Sequence, residues 1–359
     1  MLISASSNNV EGGTLLPPKR RPEDSSVSFL GPVEAIAEGD TYLVENILPE
    51  ELGDVAFERL KAEVKWSKMF HRGGEVPRLV AVEGEVESDG TFPIYRHPSD
   101  SSPPLLPFSP TVSLIRRHVE QILGHPVNHV LIQFYRTGAD YISEHSDKTI
   151  DIVQGSSIVN ISLGAQRVMT LRTKKDRSPL PPSGSSEAPN KETLSASKTL
   201  TSISTTTARS TQRVPLPHNS MFVLGLATNA RWTHSIHTDK RPLKLKSPVE
   251  QFQNGERISL TFRHIGTFLM PSKCSDGTID TSAENPGSLG PDTEVCGGMK
   301  IYGQGAKGKS KEEARPVMNG GEEAEKLIAA FGRENRESSF VWEDGYGEGF
   351  DVLHFTDEK

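Results

Sequence analysis

The chain is poor in sulfur, poor in aromatics and free of long apolar runs, and each shortage excludes a class of protein. Only two cysteines occur in 359 residues, Cys274 and Cys296, both in a polar Gly/Asp/Ser-rich stretch. Two thiols cannot build the disulfide framework of a small secreted fold, so reduced cysteines in an intracellular protein are expected. No apolar run approaches the roughly 20 residues of a membrane span. The N-terminal MLISASSNNVEGG lacks the basic and apolar regions of a secretory signal. A cytoplasmic protein with no membrane partner is therefore expected. The basic run PKRRP at 18–22 reads as part of a solvated tail, with a nuclear address as the alternative. Aromatics make up 6% and hydrophobic residues 34% of the chain, and mean hydropathy is −0.45. That is too little apolar surface to pack the whole length, so part of the chain is expected to be disordered.

The net charge of −7 conceals an uneven distribution. Residues 101–270 carry 20 Lys/Arg against 11 Asp/Glu, whereas 1–100 and 271–359 each carry 10 against 18. A segment of about +9 between two acidic arms suits an anionic cosubstrate, and it also suits a nucleic-acid backbone if the basic groups share a face.

Two amphipathic helices precede a run of strands. Apolar residues at 56, 57, 60 and 64 give helical spacing over 54–66, and TVSLIRRHVEQIL at 111–123 is a second helix between Pro110 and Gly124. Residues 76–86 read as a strand. Short β-rich runs bounded by turn residues follow at 129–136, 157–163, 167–173, 220–226, 230–236 and 257–264. This predicts a mainly β protein with flanking helices, its core a double-stranded β-helix or jelly roll. Residues 174–213 are dominated by Ser, Thr, Pro and Lys, and are expected to be a disordered insertion in a hairpin loop. The expected organisation is a disordered tail over 1–30, the β domain over 31–270 with its insertion, and an extension over 271–359. In that extension a polar linker leads to a helix near 321–331 and an apolar tail that packs back on the core.

Three pieces carry chemistry. His145 and Asp147 are two apart, so on an extended segment they point the same way. A His-x-Asp pair with a distant histidine is the facial triad of non-haem Fe(II). Alone, a His-x-Asp is common on solvated loops. For the third ligand His234 and His237 compete; the odd spacing puts them on opposite faces, and His234, in the β-rich part, is preferred. In RISLTFR, residues Arg257, Ser259, Thr261 and Arg263 share one strand face and Ile258, Leu260 and Phe262 the other. Two arginines and two hydroxyls on one face suit a cavity that grips a carboxylate; the alternative is a solvated barrel edge. Tyr135 can add a phenolic hydrogen bond, with Gln133 on its face; core packing is its alternative role.

The segments HVLIQFYRTGADYISEHSDK, SIVNISLGAQRVMTLRTK, WTHSIH and RISLTFR together resemble the AlkB-like family of Fe(II)/2-oxoglutarate dioxygenases, as does VPR at 76–78. The resemblance implies a double-stranded β-helix with Fe(II) on His145, Asp147 and His234. It implies 2-oxoglutarate chelating that iron, Arg257 and Tyr135 on the distal carboxylate, and Arg263 near the iron-bound carboxylate. It further implies O2 as the oxidant, release of succinate and CO2, and oxidation of a substrate C–H bond.

The sequence departs from the nucleic-acid-repair members. Gln133 and Ser259 stand where they usually have Asn, and Lys148 and Thr149 follow the iron Asp where they often have an acid for the damaged base. HSDKTIDIVQGSSIVNISLGAQR also looks like a fungal subgroup, some of which oxidise small amino acids in secondary metabolism. The expected substrate is accordingly a small molecule, a free aliphatic amino acid being the example. Arg136, Lys148, Arg167 and Arg172 are spare cations for its carboxylate. The alternative is oxidative demethylation of alkylated DNA or RNA.

Overall fold

A computed structural model describes residues 28–29, 35–71, 74–98, 102–175, 209–272 and 298–354. Most of the expected tail, the insertion between 176 and 208 and the linker between 273 and 297 lie outside the described residues.

In chain order the strands of the main body are β1 (Ser28–Phe29), β2 (Tyr42–Glu45), β3 (Phe70–His71), β4 (Gly74–Glu75), β5 (Leu79–Gly84), β6 (Phe92–Pro93), β7 (Leu105–Pro107) and β8 (His129–Tyr135). They continue with β9 (Ile142–His145), β10 (Ile158–Gly164), β11 (Arg167–Thr173), β12 (Thr211–Leu216), β13 (Ser220–Leu224), β14 (Trp232–Ile236) and β15 (Arg257–Arg263). Seven form one sheet in the order β2-β13-β10-β15-β8-β5-β7, and five form a second in the order β1-β12-β11-β14-β9. Side chains from both sheets meet in one apolar cluster that includes Ile158, Met169, Leu171, Phe222, Leu224 and Ile236. The body is thus a mainly antiparallel β sandwich of the jelly-roll kind, as the sequence predicts.

The outer face of the seven-stranded sheet is covered by α1 (Glu50–Glu63) and α2 (Pro110–Leu123). Phe57, Leu60, Ile115 and Val119 pack there with Ile132, Ile161, Ile258, Leu260 and Phe262. α1 begins four residues before the expected start, because Pro49 precedes a first turn that carries Glu50 and Glu51, residues that suit a helix N-terminus. α2 has Pro110 in its first turn and ends at Gly124 with φ 72°, the left-handed geometry that glycine adopts freely. The alternation of β15 decides where the site lies. Its apolar residues face the helices, so Arg257, Ser259, Thr261 and Arg263 face inward between the sheets.

One expectation needs correction. Residues 209–213 do not belong to a disordered insertion. Thr211–Leu216 is a strand, and Arg213 pairs with Thr170 in the β11–β12 ladder. Ladder hydrogen bonds need no apolar side chains, so Val214 and Leu216 anchor the strand in the core and the polar Thr211–Arg213 extend it. The short α3 (Leu226–Arg231) also takes over the start of the strand expected from 230.

Beyond β15 the chain adds β16 (Thr267–Pro271), β17 (Met299–Gly303) and β18 (Arg315–Pro316), which form a four-stranded sheet with β6. After the single-turn α4 (Pro248–Gln251) the remaining helices are α5 (Gly321–Arg336) and α6 (Trp342–Tyr346). This C-terminal part is tied to the body at a buried charge. Arg96 pairs with Asp151 at 2.6 Å and donates to the carbonyls of Gly305 (2.8 Å) and Phe350 (2.6 Å). Leu327, Ala330, Phe331 and Tyr346 pack with Ile150, three residues beyond Asp147. No described helix is long and apolar enough to cross a membrane.

Candidate metal centre and cosubstrate pocket

His145 ends β9 and lies directly opposite His234 on β14. This cross-strand register brings the two rings to 4.3 Å between centroids. Asp147, just past the strand end, puts Oδ1 3.8 Å from Nε2 of each histidine. One ligand atom from each of the three side chains lies within 4.8 Å of the others. His237 is turned away and exposed, and its ring meets Ser235 Oγ at 3.3 Å. Period-two alternation accounts for the difference: Thr233 and Glu144, next to the histidines, hydrogen-bond each other at 2.9 Å on the other face of the sheet.

The electrostatics suit a divalent cation. Burial, then the facing His234, lowers the pKa of His145; burial likewise lowers that of His234. Both rings are neutral and keep a lone pair. Nδ1 of His145 donates to the Ser143 carbonyl at 2.8 Å, so the lone pair is on Nε2, toward Asp147. Burial alone would raise the Asp147 carboxyl, but Arg263 and the two histidines more than offset it and hold the group well below the usual carboxylate range. Arg263 donates to Oδ2 from Nη2 at 2.7 Å and from Nε at 3.0 Å, leaving Oδ1 for a metal. Two neutral imidazoles and an ionised carboxylate form a donor set that fits Fe(II).

Beside these groups a cavity of ≈ 50 Å³ runs between the sheets, walled by Tyr135, Gln133, Ser259 and Arg257 and by apolar residues such as Leu131, Ile158 and Leu224. Arg257 is 1% exposed. Nε donates to Ser162 Oγ at 2.8 Å and Nη2 to Asn160 Oδ1 at 3.0 Å. Nη1 is buried and has no hydrogen-bond partner among the described residues. Burial lowers the guanidinium to about 10, so it stays charged at neutral pH. The Tyr135 ring lies between two cations, with Arg257 at 5.2 Å and Arg167 at 5.7 Å. A buried cation with an orphan donor is costly unless an anion completes it, and this one fits the carboxylate of a cosubstrate. Gln133 satisfies its neighbours when its oxygen accepts from Arg78 Nε at 3.0 Å and its nitrogen donates to the Tyr135 hydroxyl at 3.3 Å. The phenolic hydrogen is then free to donate into the cavity.

The 2OG-Fe(II) oxygenase superfamily model matches residues 40–263. The chain belongs to that superfamily. It is a non-haem iron dioxygenase that uses Fe(II), 2-oxoglutarate and O2. Its relatives are of the AlkB-like kind. The human protein named DNA oxidative demethylase ALKBH2 is 28% identical over 219 residues, 59% of this chain and 68% of that protein. The mouse protein of the same name is 27% identical, with shares of 59% and 74%. The cattle protein named alpha-ketoglutarate-dependent dioxygenase alkB homolog 3 is 24% identical over 216 residues, 59% of this chain and 61% of that protein.

Several groups around the site were not foreseen. Asn160 accepts from Arg257 and donates to Ser259 (2.7 Å) and Thr261 (3.0 Å), which orders the polar face of β15. The only signal was a polar residue inside the apolar SIVNISL. Asn229, on α3, clamps Asp147: its Oδ1 accepts from the Asp147 N–H at 2.9 Å and its Nδ2 donates to the Asp147 carbonyl at 3.0 Å. Nothing in the local sequence marked it. Asn229→Ala is expected to weaken Fe(II) binding by about 10- to 100-fold, as loss of ligand-orienting partners does elsewhere. Titration of the apoprotein checks this, and an unchanged affinity would show that the loop orients Asp147 unaided.

The four spare cations do not line the cavity. Arg136 pairs with Asp140 at 2.9 Å. Lys148 donates to the Ser146 carbonyl at 2.8 Å. Arg167 donates to the carbonyls of Asp140 (3.0 Å) and His237 (2.6 Å). Arg172 faces Glu144 and Thr211. The expectation that they serve a substrate carboxylate is corrected: each is committed to a local acceptor.

Proposed function

We propose that His145, Asp147 and His234 hold the iron, that Arg257 and Tyr135 receive the distal carboxylate of 2-oxoglutarate, and that the substrate is a small molecule. The observation that carries the cosubstrate assignment is the unpaired, buried Nη1 of Arg257, facing a cavity with no carboxylate other than Asp147 among its described lining residues. Bound iron with 2-oxoglutarate and O2 supplies an oxidation in which the cosubstrate leaves as succinate and CO2 and a substrate C–H bond is oxidised. The chain's residues orient and shield. Ser162 and Asn160 fix the Arg257 guanidinium, and Arg263 keeps Asp147 ionised and turned toward the histidines. Leu131, Ile158, Met169 and Leu224 keep water from the carboxylate pair.

The absence of a cavity-facing acid other than Asp147 among the described lining residues supports a small substrate over a cationic alkylated base. Thr149, beyond the ligand Asp, is bonded to Glu334, and that carboxylate is itself buried and shared with Tyr346. A methylated base would lose a charge-assisted partner, usually worth about 1.5–3 kcal/mol. Free aliphatic amino acids remain the proposed candidates, on the sequence likeness to a fungal subgroup given above. The second reading, demethylation of DNA, is favoured by the name of the human and mouse relatives, DNA oxidative demethylase ALKBH2. Succinate release measured side by side with free amino acids and with methylated single-stranded DNA tests the choice. Stimulation by one or more amino acids and little by DNA is expected. Efficient oligonucleotide demethylation, steeply reduced by salt and with no response to amino acids, would overturn the small-molecule reading.

A further inference from the structure

The segment 146–149 has no ladder of its own, yet its four successive N–H groups are each taken by a side chain from elsewhere. Ser146 N–H donates to Asn335 Oδ1 (2.9 Å), Asp147 N–H to Asn229 Oδ1 (2.9 Å), Lys148 N–H to the Tyr95 hydroxyl (3.0 Å) and Thr149 N–H to Glu334 Oε1 (3.0 Å). Two of the four acceptors sit on the last turn of α5, outside the 40–263 stretch that defines the superfamily match.

Other bonds reinforce the same contact. Thr149 Oγ1 donates to Glu334 Oε1 at 2.5 Å, and Lys148 Nζ donates to Asn335 Oδ1 at 3.2 Å. Lys174 Nζ donates to the Glu334 carbonyl at 2.6 Å, placing a cation at the helix C-terminus, where the dipole favours one. Trp342 Nε1 donates to the Thr149 carbonyl at 3.2 Å. Glu334 is buried, and Tyr346 donates to its other oxygen.

We infer that α5, in the C-terminal extension, is a positioning element of the metal centre, with Asn335 and Glu334 setting the backbone that aims Asp147 at the two histidines. The inference rests on the metal-centre reading above. A ligand on an unpaired loop must be held by its neighbours, because a carboxylate misplaced by a fraction of an ångström loses coordination. Asn229 fixes the peptide groups on either side of the Asp147 Cα. Asn335 and Glu334 fix the next peptide groups outward, through the N–H groups of Ser146 and Thr149. Neither α5 residue touches the cavity, so both act through Asp147.

The test is Co(II) titration of the full-length apoprotein, following the visible spectrum as well as the affinity. Asn335→Leu removes the acceptor at similar volume, and Asn335→Asp keeps it. Asn335→Leu is expected to bind Co(II) about tenfold or more weakly with an altered spectrum, and Asn335→Asp to remain within about threefold of the wild type. Should Asn335→Leu not fold, Asn335→Ser and Glu334→Gln carry the same comparison as milder changes. Leu353→Ala, at the far end of the extension in the cluster with Leu269 and Ile301, is the control and is expected to leave Co(II) binding unchanged. A folded Asn335→Leu with wild-type affinity and spectrum would overturn the positioning role. So would an equal loss in Leu353→Ala, which would make the effect general loosening. A wild-type protein that binds no Co(II) would instead overturn the metal-centre reading itself.

Discussion

Arg257→Ala is expected to raise the apparent KM for 2-oxoglutarate by about a hundredfold or more while the protein still folds and binds iron. The guanidinium is 1% exposed, is anchored by Ser162 and Asn160, and keeps one donor unpaired. Removing one partner of a buried ion pair typically costs about 3–5 kcal/mol, which corresponds to two to four decades of affinity. The loss falls on the cosubstrate complex, because among the described residues Arg257 has no carboxylate partner to lose. Deleting it relieves a buried, unneutralised charge, so apoprotein stability is expected to hold or rise. The check is KM by succinate release, together with the thermal shift produced by 2-oxoglutarate without turnover. An unchanged KM would move the anchor to another cation, first Arg263, which also lines the cavity.

Asp147→Ala and His234→Ala are both expected to abolish turnover and Fe(II) binding, but with different consequences for the fold. Asp147 is the sole ion-pair partner of Arg263 among the described residues, and both side chains are buried, at 4% and 3% exposure. Asp147→Ala leaves that guanidinium uncompensated and is expected to cost about 3–5 kcal/mol of stability as well. His234→Ala leaves the Arg263–Asp147 pair in place, so its apoprotein is expected to melt close to the wild type. Iron titration and thermal melts of the two variants side by side check this. Equal melting temperatures would show that Arg263 finds another partner, and retained iron binding in His234→Ala would reopen the case for His237.

Acid dependence of the apoprotein should follow the same pair. The folded-state pKa of Asp147 is depressed, so the stability it contributes is present above its unfolded value, near 3.9, and is lost as pH falls below that toward the folded value. His145 and His234 are also depressed. For histidines that sign means a penalty: they favour the unfolded chain once pH drops below its histidine pKa, near 6.5.

Much of this protein could be read from the sequence, for identifiable physical reasons. Period-two alternation in RISLTFR is a local property, and it put Arg257, Ser259, Thr261 and Arg263 on one face before any sheet was known; α1 and α2 cover the other. The same periodicity separated His234 from His237. Pro110 and Gly124 bracket α2 because their dihedral preferences act within the residue itself. The sequence alone therefore determined the strand faces, the two buttressing helices and the residues competent to bind metal and carboxylate. It could not decide which polar group meets which. Asn229 reaches Asp147 across 82 positions, and Glu334 reaches Thr149 across 185. It also placed Thr211–Arg213 in an insertion, because their composition is polar and their ladder partners on β11 lie about 40 residues away. Hydrogen bonds between distant segments leave no periodic trace in a chain. The clamps on the Asp147 loop, the retirement of Arg136, Lys148, Arg167 and Arg172 to local acceptors, and the unpaired donor of Arg257 were settled only when the two sheets closed and the C-terminal helix packed against them.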